Sequence, residues 1–280
     1  MTAVMTLRRA FAYPQTVIGA VLTGLIVLLA LLGPLLAPHT PTEFVGAPLS
    51  GPSGDALLGA DQLGRDVLSR VLWGGRSVLW MSVAAALLGV ALGVALGLVA
   101  GYARGRADAL VMRALDVVIA FPQLVLVLLF VSLLGARAWL IVLLTAIAWA
   151  PGVARVTRGI TLETGEREFV QAAEVLGYRR RSIVLGEILP NLTTPLMVEL
   201  GVRLTWSIAL ISGLSFLGLG IQPPAADWGL MVNENRNGLT VQPWGVVAPV
   251  ACIAIFTIGT NLITEGFART MAGVDRQRGA

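Results

Sequence analysis

The sequence is dominated by long apolar stretches that are separated by short polar segments. A helix that crosses a bilayer needs about 20 mostly apolar residues. Six stretches meet or approach this length, at residues 17–37, 78–102, 114–134, 139–153, 196–219 and 246–267. Only 13% of the 280 residues are charged, about half the share in a soluble domain. The sequence therefore predicts an all-α polytopic membrane protein with six transmembrane helices, the fourth of which is short and meets Pro151.

The distribution of arginine predicts the orientation of these spans. If the N-terminus is cytoplasmic, fourteen of the twenty arginines lie in inside segments and five in outside segments, and Arg203 falls within the fifth span. Because cytoplasmic loops carry the excess of basic residues, we expect both termini in the cytoplasm. Residues 38–77 and 221–245 are then external, and residues 103–113 and 155–194 are internal. The chain divides into an N-terminal span with its external segment (1–77), a core of five spans (78–267) and a cytoplasmic tail (268–280). The arginines follow this membrane rule and are dispersed, so that nucleic acid is not an expected partner.

The second span carries a glycine at every fourth position. These are Gly89, Gly93, Gly97 and Gly101. Residues four apart share one face of a helix, and the missing side chains allow another helix backbone to approach closely. We expect tight helix packing on this face, and a sliding or pathway-lining face is the alternative.

Few ionisable residues lie at membrane depth, although such residues are functional candidates by default. Glu199 and Arg203 are four apart and are expected to pair, and Arg113 and Asp116 invite the same interpretation. No cluster of buried carboxylates is apparent in the sequence. This argues against a secondary transporter or channel that acts alone, which remains the alternative class.

Enzymatic and metal-binding patterns are also missing from the sequence. His39 is the only histidine and Cys252 the only cysteine, so we expect neither a metal site nor a catalytic set. A phosphate-binding loop of the GxxxxGK[ST] type requires lysine, which this chain lacks. A membrane enzyme is thus disfavoured, and any ATP that drives the protein must bind to another chain.

The internal segment 155–194 contains a short amphipathic pattern. Phe169, Ala172, Ala173 and Leu176 recur at helical spacing, which predicts a helix over residues 168–176. Gly177 follows at the position where a helix often ends. A second apolar stretch, residues 183–189, is predicted to end at Pro190 and Asn191. The helix either lies on the protein's own core or enters a groove on a partner.

The stretches Gln171–Gly177 and Ile188–Asn191 resemble the EAA loop of ABC-importer permeases. In that family the loop forms coupling helices that dock into the ATPase. The chain departs from the pattern at Gln171, where glutamate usually stands. The resemblance implies that the ATPase-docking residues are Glu168, Phe169, Gln171, Ala172, Ala173, Leu176, Gly177, Pro190 and Asn191.

Two further segments resemble one subfamily, the permeases of dipeptide, oligopeptide and nickel importers. Residues 58–70 with 73–76 are similar to its LGTDxxGRDxxSR…GxR segment, with Ala60 in place of threonine. Residues 215–224 with 227–229 are similar to the end of its fifth span and the following external loop, and Phe121–Pro122 fits as well. The resemblance covers roughly residues 57–267.

The resemblance implies the fold of a type I ABC-importer permease in the bacterial inner membrane. Its implied partners are membrane lipid, a second homologous permease, two ATPases that bind ATP and Mg, and an external binding protein. No cofactor is expected on this chain, and peptides are the expected substrate, with nickel as the alternative.

The external residues Asp61, Arg65, Asp66, Arg70, Asp227 and Trp228 are candidates for contact with a permease or a binding protein. The alternative for residues 61–71 is a self-paired surface helix. Pathway candidates are Trp206, Ser207, Ser212, Thr257 and Asn261.

Overall fold

The computed structural model describes the backbone of residues 10–278 and the side chains of residues 10–270. Arg8 and Arg9, which belong to the inside count, lie outside the described residues, as do the side chains of Arg276 and Arg278. The helices are α1 (Pro14–Leu36), α2 (Val67–Ala103), α3 (Gly105–Ile119), α4 (Gln123–Leu134), α5 (Ala138–Gly165), α6 (Glu168–Val175), α7 (Arg180–Ile183), α8 (Leu189–Phe216), α9 (Trp228–Asn235) and α10 (Trp244–Arg278). A π-helical turn, Val184–Ile188, joins α7 to α8. The all-α prediction is confirmed.

Five helical stretches of the described chain are long and apolar enough to cross a membrane: α1, α2, α5, the run from α7 through α8, and α10. The pair α3 and α4 qualifies only when taken together, and an 80° bend separates the two. The continuous third span predicted over residues 114–134 is therefore wrong. The chain breaks at residues 120–122, because Pro122 disfavours the helical conformation at Phe121 and has no N–H to donate. Counted as one broken span, the pair brings the total to six.

The fourth span is longer than predicted. Helix α5 does not end near Pro151 but runs for 28 residues with that proline inside it. Most of its length is buried between neighbouring helices, and packing of this kind maintains a helix across a proline in a membrane protein. Helix α10 likewise continues to Arg278, so that the predicted tail extends the last helix.

Helices α2 and α5 form a closely packed wall through the bundle. Gly89, Gly93, Gly97 and Gly101 all lie on the face of α2 that contacts α5. A Cβ atom added at Gly93 would come within 2.5 Å of Val153 Cβ and 2.7 Å of the Ala150 carbonyl oxygen. At Gly93, Gly97 and Gly101 only hydrogen fits, and at Gly89 the space for a Cβ atom is tight. The four glycines are packed against α5 and do not line an open pathway.

Helix α2 runs the length of the bundle and defines its two ends. Near its first turn, Trp228 of α9 donates a hydrogen bond from Nε1 to the Val71 carbonyl at 2.8 Å. Near its last turns, Leu98 packs in one apolar cluster with Val170 of α6. These two regions are termed the α9 end and the α6 end. A central apolar core of α2, α4, α5 and α8 residues separates them.

Candidate functional site

At the α6 end, a short helix ends in a defined turn. Gly177 has a φ of +79°, a conformation that glycine adopts without strain. The Gly177 N–H donates to the Glu174 carbonyl at 3.0 Å, and the Tyr178 N–H donates to the Ala173 carbonyl at 3.1 Å. These two bonds form the Schellman motif. The predicted helix end at Gly177 is confirmed, and the role of this residue is to turn the chain.

The apolar residues of α6 divide between two faces. Val170 and Ala173 are buried and pack with Leu98, Ile183 and Ile188. Phe169, Ala172, Val175 and Leu176 form the outward face, termed the free face of α6. Val175 is 88% exposed and Leu176 is 74% exposed. The assignment of Ala173 to a docking surface is therefore wrong, because its side chain points into the protein's own core.

Polar contacts tie α6 to the turn between α2 and α3. The Tyr102 hydroxyl donates to Glu174 Oε1 at 2.9 Å. Arg104 forms an exposed ion pair with Glu166. The Gln171 side chain donates from Nε2 to the Glu166 carbonyl at 3.2 Å. Glu168 is exposed in the first turn of the helix. These contacts are termed the tether of α6. Their side chains are mostly exposed, so that the tether lies open to solvent.

The far side of the loop differs from its prediction. Pro190 and Asn191 do not end a helix, since they lie in the first turn of α8, continuous with α7 through the π-helical turn. Proline is tolerated in the first turn of a helix. The Asn191 side chain donates from Nδ2 to the Glu187 carbonyl at 2.6 Å. The loop 155–194 is thus largely helical and joins α5 to α8.

At the α9 end, four charged side chains form a buried cluster, termed the α9 ion cluster: Asp61, Arg65, Arg70 and Glu234. Asp61 Oδ2 accepts from Arg65 Nε at 2.7 Å and from Arg70 Nη1 at 2.6 Å. Glu234 Oε2 accepts from Arg65 Nη2 at 3.0 Å and from Arg70 Nη1 at 2.6 Å. The side chains of Asp61 and Arg70 are fully buried. Two arginines and two carboxylates balance in charge, and together they fasten the segment before α2 to α9.

Two further aspartates at this end begin helices. Asp66 accepts hydrogen bonds from the Leu68 and Ser69 N–H groups at the start of α2. Asp227 accepts from the Leu230 N–H at the start of α9 and from the Ser77 hydroxyl at 2.5 Å. Burial raises the pKa of the Asp227 carboxyl.

The structure contradicts the contact role predicted for the residues of the α9 end. Asp61, Arg65, Asp66, Arg70, Asp227 and Trp228 are all buried within the chain, and a buried side chain has no surface to offer a partner. The alternative of a surface helix over residues 61–71 is also wrong, because α2 begins at Val67. These residues position the loops of the α9 end instead, and Glu234 completes their cluster.

The pathway candidates differ in their burial. Ser207 is buried and accepts from Trp149 Nε1 at 3.0 Å, whereas the adjacent Trp206 is largely exposed. Ser212 is buried in α8. In α10, the Thr257 hydroxyl donates to the Ile253 carbonyl and Asn261 is exposed. Their role in a pathway stays a prediction.

Ion pairs connect the helices near the α6 end. Glu199 pairs with Arg203 at 2.8 Å, as predicted. Asp116 pairs with Arg155 of α5 at 2.6 Å, so its expected pairing with Arg113 is wrong. Asp108 also pairs with α5, through Arg158. Sequence spacing along one helix could not reveal these contacts between helices. Within the described chain, no group of three histidine, cysteine or carboxylate side chains is placed to hold a metal ion.

Comparisons with known proteins match nearly the whole chain. Residues 93–273 match the family model described as binding-protein-dependent transport system inner membrane component. Residues 4–52 match the N-terminal transmembrane domain of oligopeptide transport permease C. The chain is 36% identical over 255 residues to the probable D,D-dipeptide transport system permease protein DdpC of Escherichia coli strain K12, covering 90% of this chain and 85% of the relative. It is 38% identical over 250 residues to the glutathione transport system permease protein GsiD of Shigella flexneri serotype 5b, covering 89% and 82%.

Proposed function

The chain belongs to the family of binding-protein-dependent transport system inner membrane components, and on that premise we propose that it is one of two permease subunits of an ATP-driven importer of short peptides. The observation that carries the peptide assignment is the 36% and 38% identity to permeases named for a D,D-dipeptide and for glutathione. Both relatives favour peptides over nickel. The second permease, two ATPases and an external binding protein complete the proposed assembly.

The energy for transport would come from ATP that is bound and hydrolysed by another chain. The sequence has no lysine for a phosphate-binding loop. We therefore assign ATP and Mg to the ATPase partners, assign no cofactor to the permease, and regard this chain as a non-catalytic subunit.

The arginine distribution supports a cytoplasmic α6 end. Fourteen arginines fall on that side by sequence against five on the other. Arginines of both sides form ion pairs with carboxylates, but the rule counts basic residues and is not a rule of net charge. Both termini would lie in the cytoplasm.

A cysteine-labelling experiment tests this orientation. The chain's own Cys252 is first replaced by serine, and single cysteines are then placed at the exposed Ser53 and Glu168. In intact cells, a membrane-impermeant maleimide should label Ser53→Cys directly and Glu168→Cys only after the membrane is opened. The reverse pattern would overturn the orientation.

The free face of α6 supports the assignment of the ATPase contact. It offers an apolar surface beside exposed charges, and α6 joins two bundle helices, α5 and α8, through short connections. A partner that moves α6 would therefore act directly on both helices. Gly177 and Ala173 would support this face from behind, through the turn and the inner packing.

Substitution on the free face tests the contact without disturbing the core. Leu176→Glu should weaken co-purification of the cognate ATPases by at least about tenfold, because a charge in a central apolar contact removes a binding hot spot. Leu110→Glu is the matched control, since Leu110 is 72% exposed at the same end but lies on α3. Equal loss in both variants, or in neither, would refute the assignment.

Transport measurements test the substrate class. Proteoliposomes that contain the full complex and its binding protein should take up labelled dipeptides or glutathione only when ATP is enclosed. Uptake of nickel in place of peptides would overturn the substrate assignment. Uptake by the permease alone, without ATPases, would instead support the stand-alone transporter.

A further inference from the structure

A groove of about 430 Å³ lies beside α7 at the α6 end. Its apolar walls come from the last turns of α2 and from the π-helical turn, and two arginines stand on its α7 side. Its lining residues are Leu98, Val99, Tyr102, Ala103, Arg180, Arg181, Val184 and Leu185. No residue of α6 itself lines the groove, although the Tyr102 hydroxyl donates to Glu174 of α6. The groove therefore adjoins α6 but does not include the free face of α6.

The arginines of this end fall into two groups. Arg104, Arg155 and Arg158 each pair with a carboxylate. Arg180 and Arg181 belong to the exposed arginines that take part in no ion pair among the described side chains, and they are the two that line an apolar groove. Two adjacent guanidinium groups without a carboxylate favour an anionic ligand, and phosphate is the oxyanion that arginine binds best through paired donors.

The groove also lies at the depth of a membrane surface. The apolar stretch of α2 ends at Tyr102, one turn beyond Val99. Val99 is 53% exposed and Leu185 is 49% exposed, so that the apolar walls are open. Long basic side chains reach from such a depth to the headgroup region, and basic pockets between membrane helices bind anionic headgroups.

We propose that this groove binds one anionic phospholipid. The phosphate contacts Arg180 and Arg181, and an acyl chain lies along Val99, Ala103 and Leu185. A water-soluble phosphate would use the arginines but would leave the apolar walls exposed, so the combination of the two surfaces favours a lipid. The bound lipid would cover the seam between α2 and α7.

Native mass spectrometry of the purified full chain, titrated with phosphatidylglycerol or phosphatidylcholine, tests the proposal. Each arginine near an anionic headgroup raises affinity about fivefold. Arg180→Gln with Arg181→Gln should therefore weaken binding of the first phosphatidylglycerol about 25-fold and leave phosphatidylcholine binding unchanged. The matched control is Arg106→Gln with Arg113→Gln, which removes two exposed arginines of the same end that do not line the groove. It should change affinity less than about twofold.

A second variant tests the apolar half of the site without changing charge. Ala103→Trp fills the groove and should weaken phosphatidylglycerol binding while Arg180 and Arg181 remain. Unchanged affinity in this variant, or displacement of the lipid by millimolar glycerol phosphate, would identify a simple anion site and overturn the proposal. Equal weakening of lipid binding in both arginine double variants would show that only the net charge of the protein matters. This result would also overturn the proposal.

Discussion

The two ends of the bundle both carry ion pairs, yet they hold them in different surroundings. At the α9 end, the α9 ion cluster is buried and its four side chains share hydrogen bonds. At the α6 end, the pairs Arg104–Glu166 and Arg155–Asp116 are more than half exposed on the arginine side. Breaking a buried pair leaves an uncompensated charge, whereas an exposed pair exchanges its partner for water at little cost. The geometry of the α9 end therefore depends more strongly on its buried ion pairs than that of the α6 end does on these exposed ones.

The largest expected effect comes from breaking the α9 ion cluster. Asp61→Asn leaves Arg70 and Arg65 with insufficient negative charge in a buried site. It should lower the free energy of unfolding by about 3–5 kcal/mol, measured by denaturant unfolding in detergent. The matched change at the α6 end, Glu166→Gln, should cost less than about 1 kcal/mol. Similar losses in both variants would remove the contrast between the ends.

The next largest effect is expected at the packed contact between α2 and α5. Gly93→Ala places a methyl group 2.5 Å from Val153 Cβ, and such overpacking should destabilise by about 1–3 kcal/mol. Gly159→Ala in α5 meets no atom within 4 Å and should stabilise by up to about 1 kcal/mol through helix propensity. Thermal unfolding of the two variants gives the comparison. The same sign in both would show that the α2–α5 contact is not tight.

A smaller effect should appear in the pH dependence of the α9 end. Burial raises the pKa of Asp227 above its ordinary value of 3.8, so that the folded protein binds this proton more tightly than the unfolded chain does. The free energy of unfolding therefore falls as pH rises from 3.8 towards the folded pKa. Asp227→Asn keeps an oxygen acceptor for the Leu230 N–H and places an NH2 donor opposite the Ser77 hydroxyl, which can then donate to the Gly74 carbonyl. It should flatten this fall.

Unfolding midpoints between about pH 4 and 7 would measure the slope. Asp55→Asn, at an exposed aspartate of the same end, controls for the loss of one carboxylate. A slope in Asp227→Asn as steep as in the parent protein would show that the carboxyl does not titrate differently on folding.

The smallest effect on global stability is expected at the tether of α6. Tyr102→Phe removes the hydrogen bond to Glu174, which is worth about 1 kcal/mol or less. Amide hydrogen exchange should accelerate in α6 and remain unchanged in α9. Equal acceleration in both helices would mean that the tether supports the whole fold.

Parts of the α6 end could be predicted from the sequence because they depend on neighbours in the chain. Helical spacing located α6, and Gly177 marked its end, since both are properties of a few consecutive residues. The inward turn of Val170 and Ala173 depends on α2, α7 and α8, and no local pattern reveals it. The partners of Asp116 and Asp108 are on α5 for the same reason.

The apolar stretches by themselves determined an all-α membrane protein, because a bilayer accepts few other structures. The arginine count predicted an orientation, and three motifs indicated the family. Only the tertiary structure decided that Asp61, Arg65 and Arg70 are buried with Glu234, which lies more than 160 positions away in the chain. It also decided that Pro122 breaks a span while Pro151 does not. Each proline removes one backbone N–H donor, and this can be stated from the sequence. The packing around α5 decides whether the helix continues past Pro151.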